Sequence, residues 1–159
     1  WVDYIYLDTE ERKRFARSKH EYLIEQVQTT GEETLSGSGN EKVRLNFNHP
    51  VKELIWTAPG MTRAKLQLNG HDRFTERDAD YFRTLQTYQH HSGRDSSNSV
   101  FVYSFALEPE KLQPSGTCNF SRIDNATLNI EGATSATVYA VNYNVLRISN
   151  GMGGLAYSN

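Results

Sequence analysis

The feature that most constrains this chain is a two-residue alternation of apolar and polar side chains that recurs from end to end. In Lys42-Val43-Arg44-Leu45-Asn46-Phe47-Asn48, Val43, Leu45 and Phe47 point one way and the polar residues point the other. That period belongs to an extended strand with one buried face. Ala64, Leu66 and Leu68 repeat it around Lys65 and Gln67, and Ala126, Leu128 and Ile130 repeat it around Thr127 and Asn129. Tyr139, Val141, Tyr143 and Val145 are expected to share a face late in the chain. Eight strands are predicted, at about 2–7, 20–29, 42–48, 51–57, 63–69, 99–107, 121–130 and 136–148.

Turn residues separate these segments. Residues 31–40 form a Gly/Ser/Glu loop, His49-Pro50 is a tight break, Pro59-Gly60 marks a turn, and Pro109 and Pro114-Ser115-Gly116 bound another loop. Glu131-Gly132 reads as a hairpin-like turn, and 150–154 as a flexible tail leading to a docking point at Leu155 and Tyr157. Two short helices are expected. The first starts from an Asp8 or Thr9 cap and runs through Arg17, with Glu10 and Glu11 in the turn that the helix dipole favours for acids. The second spans about 78–89, with Tyr81, Phe82, Leu85 and Tyr88 on one face and Thr75 and Asp78 at capping-box spacing.

Eight strands with little helix describe an all-β sandwich of two antiparallel sheets. The jelly roll is the eight-stranded form of it. An immunoglobulin-like sandwich is left open by pattern alone, although the Cys…Trp…Cys mark is absent. The expected core is Val43, Leu45, Phe47, Leu54, Trp56, Leu66, Leu68, Phe101, Phe105, Leu128, Val141 and Tyr143. Each large member contributes roughly 1.5–3 kcal/mol when buried.

Composition narrows the function classes. The 159 residues suit one domain. The net charge of -2, from 17 basic and 19 acidic residues, argues against a nucleic-acid surface. The single cysteine, Cys118, cannot form an intrachain disulfide, which fits a reducing compartment. No apolar run approaches the ~20 residues of a membrane span. The chain opens at Trp1 without a signal peptide, and is expected to continue from a preceding segment.

No catalytic, cofactor or metal constellation emerges. His90-His91, His71-Asp72 and His20-Glu21 are adjacent pairs, whose side chains diverge on a helix or strand, so none starts a two-His-one-carboxylate site. Cys118 has no histidine nearby in sequence, no GxSxG elbow exists, and Gly151-Met152-Gly153-Gly154 lacks the Lys-Ser/Thr of a phosphate loop. Two N-x-S/T triplets, a pattern that chance also supplies, make Asn119 and Asn125 the candidate glycan acceptors.

Seven blocks of the sequence are similar to major capsid proteins of nucleocytoplasmic large DNA viruses, of the algal-virus and giant-virus branch. They are YLDTEERKRFA (6–16), HEYLIEQVQ (20–28), LNFNHPVKELIW (45–56), LQLNGHDRF (66–74), YFRTLQTYQHH (81–91), VYSFALEPEKLQPSGTCNFSRIDNATL (102–128) and NYNVLRISNGMGGLAYSN (142–159). The resemblance implies that residues 1–159 are the C-terminal jelly roll of a double jelly roll, the N-terminal one lying outside this chain. It further implies a homotrimer that forms a pseudo-hexagonal capsomer. Its partners would be neighbouring capsomers and minor capsid and penton proteins, in a shell laid over an internal viral membrane and assembled in the host cytoplasm. No enzymatic activity, cofactor or direct nucleic-acid binding is expected. The aromatic face of the second helix and Tyr88-Gln89-His90-His91 are expected either at trimer contacts or as a cap on the sandwich. The charged run 10–14 is read as a solvated helix face or as weak, salt-sensitive contacts. The alternative is a carbohydrate-binding jelly-roll module. It requires a shallow groove lined by Trp or Tyr, and the apolar setting of Trp56 speaks against it.

Overall fold

The computed structural model describes residues 1–93 and 99–158. Two antiparallel sheets face each other. One has the order β1 (His20–Thr34), β10 (Ser135–Ser149), β3 (Pro50–Thr57), β7 (Val100–Ser104), with β8 (Cys118–Asn119) against β3 and β11 (Met152–Leu155) against β10. The other has the order β2 (Asn40–Arg44), β9 (Ala126–Glu131), β4 (Arg63–Leu68), β5 (His71–Asp72), with β6 (Arg77–Asp78) also on β4. Successive long strands switch sheets, and the first pairs with a late one: His20 lies opposite Ile148 and Thr34 opposite Ser135. This rolled pairing is a jelly roll.

The alternating residues do what their period dictates. Val43, Leu54, Trp56, Leu66, Phe101, Leu128 and Ile130 are each at most 1% exposed between the sheets. Leu45 and Phe47 are buried as expected, and Leu68 and Phe105 pack against the core from its margin; Val141 is half-buried, and Tyr143 is buried outside the core, with Lys52 over its ring.

Five expectations are corrected. Residues 2–7 form no strand: they take no regular structure and lie exposed, because a strand needs a ladder partner and this segment has none among the described residues. The short β5 and β6 supply the eighth position instead. The second helix runs over 79–90, within a residue of its predicted ends; just before it Arg77 and Asp78 pair with Ala64 and Arg63, and the Asp78 carboxylate accepts from Arg63 Nε at 3.2 Å. Its turn Tyr81–Leu85 has π pitch and continues into α2 (Gln86–His90). The wider turn puts Phe82 and Gln86 inward and leaves Leu85 and Tyr88 42% and 66% exposed, splitting the predicted apolar face.

The turn after Glu131 is no hairpin; 132–134 carries the chain from one sheet to the other. The tail does form one: Asn150 and Gly151, at φ 54° and 74°, make the two-residue turn that sets Ser149 opposite Met152. Last, the tyrosine face of β10 is the outer one. Ala136, Val138 and Ala140 enter the core, while Tyr139 is 38% exposed. Both phases of that strand are apolar, so alternation alone could not choose between them.

A β-bulge shapes the outer face of the first sheet. Glu53 lies opposite Val141 and Val51 opposite Asn142, which leaves Lys52 without a partner on β10. Val51 and Leu54 both reach the core, and the adjacent Lys52 and Glu53 are both buried beneath the segment 105–112. The amides of Phe105 and Ala106 donate to the Lys52 carbonyl, at 2.9 and 3.2 Å. The Lys52 ammonium donates to Glu25 Oε1 and to the Pro109 carbonyl, each at 2.6 Å, and lies 5.6 Å from the centre of the Tyr143 ring.

Candidate functional site

The histidines go separate ways. His20 Nε2 is 3.2 Å from the Arg14 carbonyl and its ring stacks on Tyr22, while His71 is exposed on β5. His49 is buried at φ 68° beside β3. His90 Nδ1 is 3.0 Å from the Leu107 carbonyl, while His91, in extended backbone just past the helix end, turns to Glu53, so the two neighbours diverge. Among the described residues no three His, Cys, Asp or Glu side chains are grouped to hold a metal ion.

Cys118 is half-buried on β8 opposite Val51, and burial pushes its thiol up, away from the thiolate a nucleophile needs. Trp56 is fully buried with its indole N–H on Met61 Sδ at 3.4 Å, so it cannot stack on a sugar. A groove of about 470 Å³ lies beside His49, Pro50, Asn119 and Arg122, and its single aromatic is Tyr157. Asn119 and Asn125 are both exposed. The Asn119 side chain accepts from the Ser121 amide at 3.1 Å and caps the 3₁₀ turn Phe120–Arg122. The Asn125 amide donates to Asn69 Oδ1 at 3.2 Å, leaving its own side chain outside that bond.

What the fold presents is surface. Strand β1 runs along one edge of its sheet for 15 residues. Leu23 and Val27 are 52% and 65% exposed on it, and Glu21, Glu25 and Glu32 interrupt the apolar run with the charges that discourage indiscriminate edge pairing. Leu85 and Tyr88 project from the second helix, and Leu107 and Leu112 from the segment over Lys52. Helix α1 (Thr9–Arg17) is capped by the Glu11 amide on Asp8 Oδ1 at 2.9 Å and buries no residue within this chain, so its charges lie at the surface. Sequence reasoning missed the contact of His91 with Glu53 and Glu110. These residues lie 38 and 19 positions from each other along the chain, with no spacing to betray them.

The geometry thus defines a jelly-roll domain whose features are surfaces and edges. The profile of large eukaryotic DNA virus major capsid proteins matches residues 11–60 and 57–154, and the chain belongs to that family. It is 52% identical to a major capsid protein of Pyramimonas orientalis virus and 42% identical to that of Paramecium bursaria Chlorella virus 1, with all of this chain matched in both. The matches take up 48% and 53% of those proteins, so the chain spans about half the length of the curated relatives it matches. These alignments extend over 195 and 234 residues, so the relatives carry segments that the 159-residue chain lacks. A quasi-atomic structure of the PBCV-1 virus capsid superposes with a TM-score of 0.87 at 39% identity, over 100% of this chain and 56% of the other. The Faustovirus major capsid protein, at 13% identity and TM-score 0.67, shares the fold.

Proposed function

We propose that the chain is the C-terminal jelly roll of a viral major capsid protein, a structural subunit without catalytic activity of its own. A preceding jelly roll completes the polypeptide. Three copies form a pseudo-hexagonal capsomer, which packs against other capsomers and minor capsid and penton proteins. The shell assembles in the host cytoplasm over an internal membrane. The observation that carries this reading is the whole-chain likeness to capsid proteins, in sequence and in fold. Two structural features support it. Residues 1–7 expose Trp1, Val2, Tyr4, Ile5 and Tyr6, an apolar segment suited to burial against another domain. Leu85 and Tyr88 stand outside the monomer's core, as a contact between copies requires. Among the described residues no helix is long and apolar enough to cross a membrane.

Light scattering on the full-length parent protein, expressed alone, tests the reading. A stable trimer is expected. L85A/Y88A should weaken it about tenfold or more, as loss of an interfacial aromatic does, without lowering monomer stability. A parent that stays monomeric at high concentration would overturn the capsomer reading, and a positive glycan array would then favour the carbohydrate-binding module. Of the two N-x-S/T triplets, Asn125 is the acceptor we assign, because its side chain is not spent on a cap. The intact mass of the protein from virions should exceed that of the bare chain, and N125Q should abolish the excess.

A further inference from the structure

We propose that His91 is a pH-operated clasp that pins the 105–112 segment and the end of the second helix onto the outer face of the first sheet. The imidazole is 19% exposed and sits between two carboxylates from different parts of the fold. Its Nε2 is 2.8 Å from Glu53 Oε2 on β3, and its Nδ1 is 3.4 Å from Glu110 Oε1 in the covering segment. The second oxygen of Glu110 accepts from the Ser92 amide at 3.0 Å, and the His91 amide closes the helix on the Thr87 carbonyl at 2.9 Å. One ring therefore joins strand, helix end and covering segment.

Only the imidazolium can do this. Protonated, it donates from both nitrogens; neutral, it has one N–H and turns a lone pair toward one of the carboxylates. The surrounding charges offer no substitute. Lys52, beside Glu53, spends its ammonium on Glu25 and Pro109. In the covering segment Lys111 pairs with Glu108 at 2.8 Å, and on the helix His90 faces the Leu107 carbonyl. The Glu53 side chain is 8% exposed, so water cannot readily replace the partner it would lose.

The Glu53 hydrogen bond, and then the Glu53 and Glu110 charges, raise the His91 pKa above its ordinary 6.5, while the Ser92 bonds and His91 hold the Glu110 carboxyl below its usual value. A histidine whose folded pKa is raised lends stability that is complete below the unfolded value and is lost as pH rises through the folded one. The clasp is thus closed in mildly acid solution and opens on the alkaline side of 6.5. It governs how firmly the segment bearing Leu107 and Leu112, 73% and 88% exposed, is held.

The chain carries four other histidines, so the test must be local. Hydrogen exchange at the Ser92 amide, corrected for the intrinsic pH effect, should lose protection between pH 6 and pH 8.5, as the His91 ring gives up the proton that holds Glu110 in place. H91Q should abolish this pH dependence. E110Q, at an exposed position that leaves the Glu53 contact in place, should lower the His91 titration midpoint read from its ring resonances. A midpoint at or below 6.5, or one unmoved by E110Q, would overturn the clasp. So would equal pH dependence of Ser92 exchange in wild type and H91Q.

Discussion

Phe82→Ala is the substitution that decides what the second helix does for the fold. Phe82 is fully buried on the π-helical turn. Its ring centre lies 5.2 Å from Trp56 in an edge-on approach, 5.5 Å from Phe74 and 5.0 Å from Tyr81. Trp56 in turn stacks on Phe101 at 6.0 Å, so the cluster joins the helix to β3 and β7. Truncating a fully buried Phe costs about 3–5 kcal/mol in lost transfer energy and residual cavity. Each aromatic pair adds about 0.5–1.5 kcal/mol to what the ring contributes by area alone, which favours the upper part of that range. For a domain of this size 1 kcal/mol shifts Tm by roughly 2–4 °C, so F82A should melt some 8–20 °C lower. Urea unfolding followed by tryptophan fluorescence reports the change at Trp56 itself, and F82L should recover most of the loss. A cost below about 1 kcal/mol would refute the reasoning. The helix would then rest on the rim of the sandwich without closing its core.

Two further substitutions probe local devices. Asn69 has φ 50° and its Oδ1 accepts from the Asp124 and Asn125 amides at 3.0 and 3.2 Å. N69A should cost about 2–4 kcal/mol by equilibrium unfolding, from lost bonds and left-handed strain together, and N69G should recover only the strain, about 1–2 kcal/mol. D8A removes the α1 cap, worth about 1 kcal/mol to the helix, yet α1 buries nothing; exchange of its amides should speed up while global Tm stays within about 1 °C.

The fold was legible wherever one phase of a strand was apolar and the other polar. The inward and outward residues of 42–47 and 63–67 are those their pattern names, although the first strand ends at Arg44, because a one-residue slip would bury Lys42 and Arg44 or Lys65. Legibility ended where that asymmetry ended. Along β10 both phases are apolar, and the small Ala136 and Ala140 fit the narrow space between sheets that the tyrosines would overfill. Residues 2–7 show the limit of local pattern from the other side, since alternation states a capacity to pair and says nothing of a partner. The π turn at Tyr81–Leu85 could not be foreseen from a 3.6-residue template. The clasp was invisible because Glu53 falls inside the predicted strand 51–57 and Glu110 in the loop between Pro109 and Pro114, and nothing local in either segment points to His91.

The turns at 58–62 and 132–134 meet at one tip of the sandwich. Gly60 and Gly132 both have positive φ, and a Cβ at 132 would sit 2.9 Å from the Gly60 carbonyl, while one at 60 would sit 3.1 Å from the Gly132 carbonyl. The Thr62 amide ties the pair down on the Glu131 carbonyl at 2.8 Å. The two stretches of the family match overlap at 57–60, the first of these turns. At this tip the backbone is already as short as two touching glycines allow, and neither turn can gain a side chain without prising the other away. For a protein engineer the two turns are therefore a single unit: a residue other than glycine placed at either one presses on the carbonyl of the other.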